Sequence, residues 1–228
     1  MQQEQKREII TTGDGSKTIH LPGWNEQYHS KHGAINEAQH VFIKQGFHHI
    51  LQLHAFEELH ILEIGFGTGL NAFITFLESL KNKQKVNYVG VEAYPVTIEE
   101  ANVMNYVEAL QVTDQKATFD ELHTSPWETE TEISNDFKCT KRKQFFSEIK
   151  DENCFDLIYF DAFGARVQPE LWTVSIFTKM FRALKDNGVL VTYAAKGSVR
   201  RAMQEVGFTV ERLPGPPGKR EMLRASKL

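Results

Sequence analysis

From residue 60 onward the chain alternates between short apolar runs and amphipathic stretches, and this alternation limits the possible folds more than any other feature. HILEIGF reads as a buried strand, GLNAFITFLESLKNK as an amphipathic helix, VNYVGVEAY as a second strand and TIEEANVMNYVEALQ as a second helix. FDLIYFDAF is a further strand, and LWTVSIFTKMFRALKDNG reads as a helix that stops at a glycine C-cap, Gly188. VLVTYAA and SVRRAMQEVG repeat the strand–helix pattern. The last two strands, FTVERL and REMLRASK, are joined by PGPPGK, so they should pair antiparallel. Such an order gives an α/β fold, a mostly parallel sheet with helices on both faces. Between residues 124 and 150, TSPWETETEISND reads as an acidic surface loop and FKCTKRKQFF as a strand near the sheet edge.

The first 57 residues do not follow the alternation. IITTGDGSKTIH signals a hairpin around a Gly-Asp-Gly turn. Ile35, Ala38, Val41 and Phe42 recur at helical spacing, which predicts a helix over roughly 33–45, with a second over roughly 48–57. Residues 1–57 are thus expected to form an N-terminal extension packed on a catalytic domain of residues 58–228. No apolar run approaches the roughly 18 residues needed to cross a bilayer, and MQQEQKREII lacks the apolar stretch of a secretory signal. The two cysteines, Cys139 and Cys154, do not form a CxxC pair, so neither a disulfide framework nor a Cys-based zinc site is expected and a reducing cytoplasm is the natural setting.

The residues ILEIGFGTGLN run from strand into a glycine-rich turn. Gly65, Gly67 and Gly69 are spaced GxGxG, whereas a dinucleotide fingerprint requires GxGxxG. Glu92 ends the next strand, where a carboxylate suits a ribose diol. Glu63 separates the cofactor classes better. An acid at this point repels a pyrophosphate and attracts a cofactor that carries an ammonium and a sulfonium, which favours S-adenosylmethionine. Asp161 emerges at the carboxyl end of FDLIYFDAF, where open α/β sheets bind ligands.

LEIGFGTGLN, FDLIYFDAFGARVQPELWT, TYAAKGSVRRAMQEVGF and GPPGKREM, with the N-terminal TGDGSKTI and YHSKHGAINEAQHVFI, resemble the tRNA 5-methylaminomethyl-2-thiouridine methyltransferases over nearly the whole chain except roughly residues 98–150. The resemblance implies a class I S-adenosylmethionine-dependent methyltransferase fold, Rossmann-like, with seven sheet strands and the last antiparallel. It implies methylation of the amine of 5-aminomethyl-uridine at the tRNA wobble position, in a stand-alone form without the flavin oxidase domain, the aminomethyl substrate being supplied by upstream enzymes. On this sequence Glu63, Gly65, Phe66, Gly67, Gly69 and Asn71 match the cofactor loop, Glu92 the ribose acid and Asp161 the active-site acid. The stretch that would carry an adenine-binding acid, CTKRKQFF, is basic, so other groups must hold the adenine.

Methyl transfer to an amine is an in-line displacement in which the enzyme aligns nitrogen, methyl and sulfur. Asp161 is placed to orient the amine and attract its proton. Tyr28 and His29 of YHSKHG are placed to close over the site. The net charge is −4, yet from Lys196 onward there are eight Lys and Arg against three acids. Arg166, Lys196, Arg200, Arg201, Lys219 and Arg220 should ring the active site and grip the backbone of a tRNA anticodon stem-loop. Eight of the nine histidines fall within residues 20–60, but without ligand spacing, so no metal is expected. The competing readings are a small-molecule amine methyl- or aminopropyl-transferase of the same fold and a Rossmann-type oxidoreductase.

Overall fold

The computed structural model describes residues 6–228. Strands β1 (Glu8–Thr11) and β2 (Lys17–Leu21) form the expected hairpin, and β3 (Glu26–Gln27) adds to β2. A continuous helical run follows: α1 (Ala34–Ala38), a π-helical stretch (Gln39–Phe47) and α2 (His48–Leu53). The sequence predicts two helices here, but the backbone stays helical at both junctions and the run ends at Leu53. Gly46, which looks like a break, faces the sheet. A Cβ there would meet Val191 Cγ2 at 3.0 Å and Tyr159 Cε1 at 3.2 Å, so glycine is what lets the helix lie this close.

The main sheet begins with β4 (Glu58–Ile64), which leads through the glycine turn into α3 (Leu70–Asn82) and β5 (Lys85–Val91). Next come α4 (Ile98–Asn102), α5 (Tyr106–Ala109), α6 (Lys116–Thr124), β6 (Glu130–Ser134), β7 (Phe137–Arg142) and β8 (Phe155–Phe160). The chain closes with α7 (Val174–Ala183), β9 (Leu184–Thr192), α8 (Gly197–Val206), β10 (Thr209–Pro214) and β11 (Glu221–Ser226). The strand order is β10-β11-β9-β8-β4-β5-β7-β6. The five central strands are parallel, β11 runs antiparallel to both β9 and β10, and β6 runs antiparallel to β7.

Three expectations are corrected. The acidic stretch expected as a loop contributes β6, so the sheet has eight strands rather than seven; only Ile133 of this edge strand is buried, which leaves little apolar signal to read. The expected single helix over TIEEANVMNYVEALQ is split into α4 and α5. Asn105, at the break, receives the Lys17 amide at 2.8 Å and donates to the Gly15 carbonyl at 2.9 Å, so its side chain anchors the β1–β2 hairpin. Finally, α7 ends at Ala183 rather than at Gly188. Leu184 is already extended, and Gly188 lies inside β9, where a Cβ would stand 2.8 Å from the Lys185 carbonyl oxygen.

Side-chain alternation divides the core. Ile61, Tyr88, Leu157, Tyr159 and Val191 pack under α3 and the helical run. Leu62, Ile64, Val89, Ile158 and Phe160 pack under α7 and α8. Glu63 and Asp161 keep step with Ile61 and Tyr159, so both point to the face covered by α3 and by the N-terminal helices.

Candidate active site

The turn after β4 depends on its glycines. Gly65, Gly67 and Gly69 have φ of 94°, 49° and 71°. Side chains there would also collide: a Cβ on Gly65 would lie 2.8 Å from the Asp161 carbonyl oxygen, and one on Gly69 would lie 2.9 Å from His123 Nε2. The turn is thereby held against the end of β8, with its backbone bare toward a cavity of about 1290 Å³.

Tyr28, His29, Gly65, Phe66, Gly67, Asn71, Glu92 and Asp161 all line that cavity. Glu92 is clasped by two amides, Gly67 N–H at 3.1 Å and Tyr94 N–H at 2.9 Å. Burial pushes its carboxyl above the ordinary range, and these two donors oppose the shift. Asn71 ties two acids together: its Nδ2 donates to Glu63 Oε1 at 2.9 Å and to Asp161 Oδ2 at 2.9 Å. Burial lifts Asp161 to about 7, with Glu37 adding to the rise and Asn71 and Lys219 opposing it. Glu63 is fully buried and lies behind Asn71 rather than in the cavity wall, and burial raises its carboxyl well above the usual range. Its influence on a ligand therefore passes through Asn71.

The N-terminal segment forms the opposite wall. Tyr28 packs edge-on against Phe163 with ring centroids 5.0 Å apart, and Trp24 does the same at 5.8 Å. His29 receives or donates a 2.9 Å hydrogen bond with Thr18, and burial pulls it down to about 4, so it is neutral at neutral pH. Arg7, absent from the sequence-based candidates, spans the cavity mouth: it donates to Glu100 at 2.7 Å and to the Tyr94 carbonyl at 3.0 Å. Tyr94 and Phe145 also line the mouth, with ring centroids 6.0 Å apart and about half of each side chain exposed. Sequence reasoning missed this pair because Phe145 sits in a run that looks like strand interior.

The basic candidates are not in the cavity wall. They lie at the same edge of the sheet, Arg166, Lys196, Lys219 and Arg220 on loops and Arg200 and Arg201 in the first half of α8, and they divide into two kinds. Arg166 donates to the Trp24 and Asn25 carbonyls and to Glu26 while staying exposed, and Lys219 pairs with Glu37, so both already have partners within the chain. Lys196, Arg200, Arg201 and Arg220 have no ion-pair partner among the described residues. The Arg200 Nε is buried without a hydrogen-bond partner.

A family model for S-adenosyl-L-methionine-dependent methyltransferases matches residues 105–228, more than half of the chain. The chain belongs to this methyltransferase family. A similar protein is the tRNA 5-methylaminomethyl-2-thiouridine biosynthesis bifunctional protein MnmC of Leptospira borgpetersenii serovar Hardjo-bovis (strain JB197), 28% identical over 215 residues that cover 88% of this chain and 32% of that protein. The methyltransferase thus spans about a third of the length of the curated relatives it matches. Among solved structures, MnmC2 from Aquifex aeolicus superposes with a TM-score of 0.75 at 21% identity, over 100% of this chain and 72% of that one. Spermidine synthase from Thermotoga maritima superposes with a TM-score of 0.59 at 17% identity, over 100% and 70% of the two chains. These structural likenesses concern the fold.

The residues present fit the cofactor that the family requires. Asn71 Oδ1 is a buried acceptor without a partner among the described residues, in the same cavity wall that carries Asp161. Buried acceptors left unpaired are costly, and a cationic donor relieves that cost. A pyrophosphate would instead meet two acids and no basic side chain in the glycine turn. Among the described residues, no group of three His, Cys, Asp or Glu is arranged to hold a metal ion, and no helix is long and apolar enough to cross a membrane.

Proposed function

We propose that this methyltransferase transfers the methyl group of S-adenosylmethionine to the primary amine of 5-aminomethyl-(2-thio)uridine at the tRNA wobble position, in the cytoplasm, on substrate made by upstream enzymes. The observation that carries the proposal is the pairing of a cavity-facing carboxyl, Asp161, with cations that have no ion-pair partner among the described residues, on α8 and neighbouring loops of the same sheet edge. The first suits an amine acceptor, and the second suits an RNA backbone such as that of the anticodon stem-loop. The name carried by the Leptospira relative supports the same substrate.

Gly65, Phe66, Gly67 and Asn71 would hold the methionine end of the cofactor, supported from behind by Glu63 and Gly69. Glu92 would take the ribose diol. Tyr94 and Phe145 offer flat apolar faces for the adenine, which answers the lack of an acid after β7. When bound, the cofactor supplies an electrophilic methyl on a sulfonium. Asp161 accepts a hydrogen bond from the neutral acceptor amine and orients its lone pair. The N–C bond would form at the expense of the cofactor's S–C bond, whose electron pair would remain with the departing thioether. The surplus proton on nitrogen then passes to the Asp161 carboxylate, whose raised proton affinity suits it to this role. Tyr28, Trp24 and Phe163 exclude water from the acceptor side. The extension, expected as residues 1–57, completes this wall on the 58–228 domain through its described residues, 6–57. Lys196, Arg200, Arg201 and Arg220 hold the RNA. His29 shapes the site from the cavity wall, and Arg166 and Lys219 brace the segments around it.

The test uses purified full chain, labelled S-adenosylmethionine, and tRNA bearing 5-aminomethyl-2-thiouridine, with free polyamines as rival acceptors. Label should enter the wobble nucleoside, and Arg200→Glu with Arg201→Glu should weaken RNA binding and flatten its salt dependence. Label in the polyamines but not in the RNA would overturn the substrate assignment.

A further inference from the structure

Lys219 was expected on the RNA-binding rim, and its position in the structure requires another explanation. Its ammonium pairs with Glu37 Oε1 and stands 3.7 Å from the centroid of the Tyr193 ring. Tyr193 in turn donates from its hydroxyl to the Ala162 carbonyl at 2.8 Å, one residue beyond Asp161, and lines the cavity. Glu37 is almost fully buried, and its other oxygen accepts the Ser30 amide at 2.7 Å.

The hairpin between β10 and β11 is built to present this lysine. Gly218 has φ of 84°, and a Cβ on it would fall 2.1 Å from His32 Cδ2, so the loop is seated directly on the N-terminal segment. A hydrogen bond of 2.8 Å between His40 Nε2 and the Pro214 carbonyl secures the other end of the loop. An ion pair taken largely out of water contributes little net stability compared with apolar packing, so stability alone gives no reason for it to stand beside the site.

We propose that Glu37 and Lys219 form a positioning pair, which clamps the N-terminal helix, the end of β9 and the β10–β11 hairpin around Asp161 as a charge-balanced unit, the lysine offsetting the glutamate so that the clamp leaves that carboxyl free to accept a proton from the amine. The inference rests on the role given to Asp161 above. The two members act on Asp161 with opposite sign, since Glu37 raises its proton affinity and Lys219 lowers it. Other charged and titratable groups face the same space. Glu63 is joined to Asp161 through Asn71. Tyr193 stays protonated, because burial and the charges of Asp161, Glu37 and Glu26 all raise its pKa. His29 senses Glu37, Asp14 and Lys219 but stays neutral above about pH 5, since its own value lies near 4.

The experiment follows the Asp161 carboxyl by carbon NMR in full-length protein with labelled aspartate, assigned with Asp161→Asn, over pH 5 to 9. Glu37→Gln should lower the Asp161 midpoint and Lys219→Met should raise it, each by roughly one pH unit. Lys219→Arg should restore the ordinary midpoint, and the double variant Glu37→Gln/Lys219→Met should lie near the unsubstituted chain. Shifts of the same sign, or none, would overturn the pair's role. If Lys219→Met does not fold, Glu37→Gln decides alone: a lower midpoint supports the proposal and an unmoved or higher one refutes it. Because the titration needs no acceptor, it separates failure of the pair from failure of the substrate assignment, which would appear as absent methylation of the RNA by the unsubstituted protein.

Discussion

Replacing Asp161 by asparagine should make the protein more stable at high pH while disabling it. The folded chain holds the Asp161 proton more tightly than an ordinary carboxyl does, since its value rises from 3.8 to about 7. Below about pH 4 the group is protonated in both folded and unfolded chains and costs nothing. As pH rises toward 7 the unfolded chain loses the proton first, so stability falls across that interval and levels off above it. At about 1.4 kcal/mol for each pH unit, the interval sets a ceiling of about 4 kcal/mol. Asp161 lines a cavity open to solvent, and water screening should reduce the effect to roughly 2 kcal/mol. Asparagine can still accept the Asn71 hydrogen bond and carries no charge, so it removes this penalty with little change of shape. Urea unfolding of both proteins without cofactor at pH 5 and pH 8 measures the effect: part of the penalty is already present at pH 5, so the gain from Asp161→Asn should be about 1 kcal/mol larger at pH 8. Methyl transfer by the variant should fall at least a hundredfold, the scale of a lost acid–base group, while cofactor affinity changes much less. An equal stability difference at the two pH values would show that the carboxyl carries no burial penalty, and equal loss of turnover and cofactor affinity would refute its role toward the acceptor.

Gly65→Ala should cost about 1–3 kcal/mol in thermal or urea unfolding, because the residue has φ of 94° and its new methyl would press on the Asp161 carbonyl; loss of activity without loss of stability would contradict the strain. Phe145→Ala and Tyr94→Ala should each weaken S-adenosylmethionine binding about tenfold, the scale of a lost aromatic contact, as read by calorimetry, while methionine alone should show no such change. An unaltered cofactor affinity would remove the aromatic pair from the adenine site.

Most of the central architecture could be read from local pattern. Strand periodicity and the glycine turn are properties of neighbouring residues, and β4, α3, β5, β8, α8 and the β10–β11 hairpin appear where those signals place them. Elements set by distant contacts could not be read in this way. β6 has one buried side chain and exists because β7 offers it a pairing edge. The break at Asn105 makes sense only when the β1–β2 hairpin is present to be anchored. Gly46 resembles an interruption until Tyr159 and Val191 stand against it.

The site divides along the same line. By itself the sequence determined which residues could occupy left-handed turns, which strand ends carried acids, and that the last part of the chain is basic, since these follow from chemistry and short-range spacing. Tertiary structure decided what each charge faces. It put Glu63 behind Asn71 instead of in the cavity, joined Lys219 to Glu37 and Arg166 to Glu26, and left Lys196, Arg200, Arg201 and Arg220 without an ion-pair partner among the described residues. The physical reason is that a side chain's charge state and availability depend on burial and on neighbours within a few ångströms, and for Arg166 and Lys219 those neighbours come from segments more than a hundred residues away.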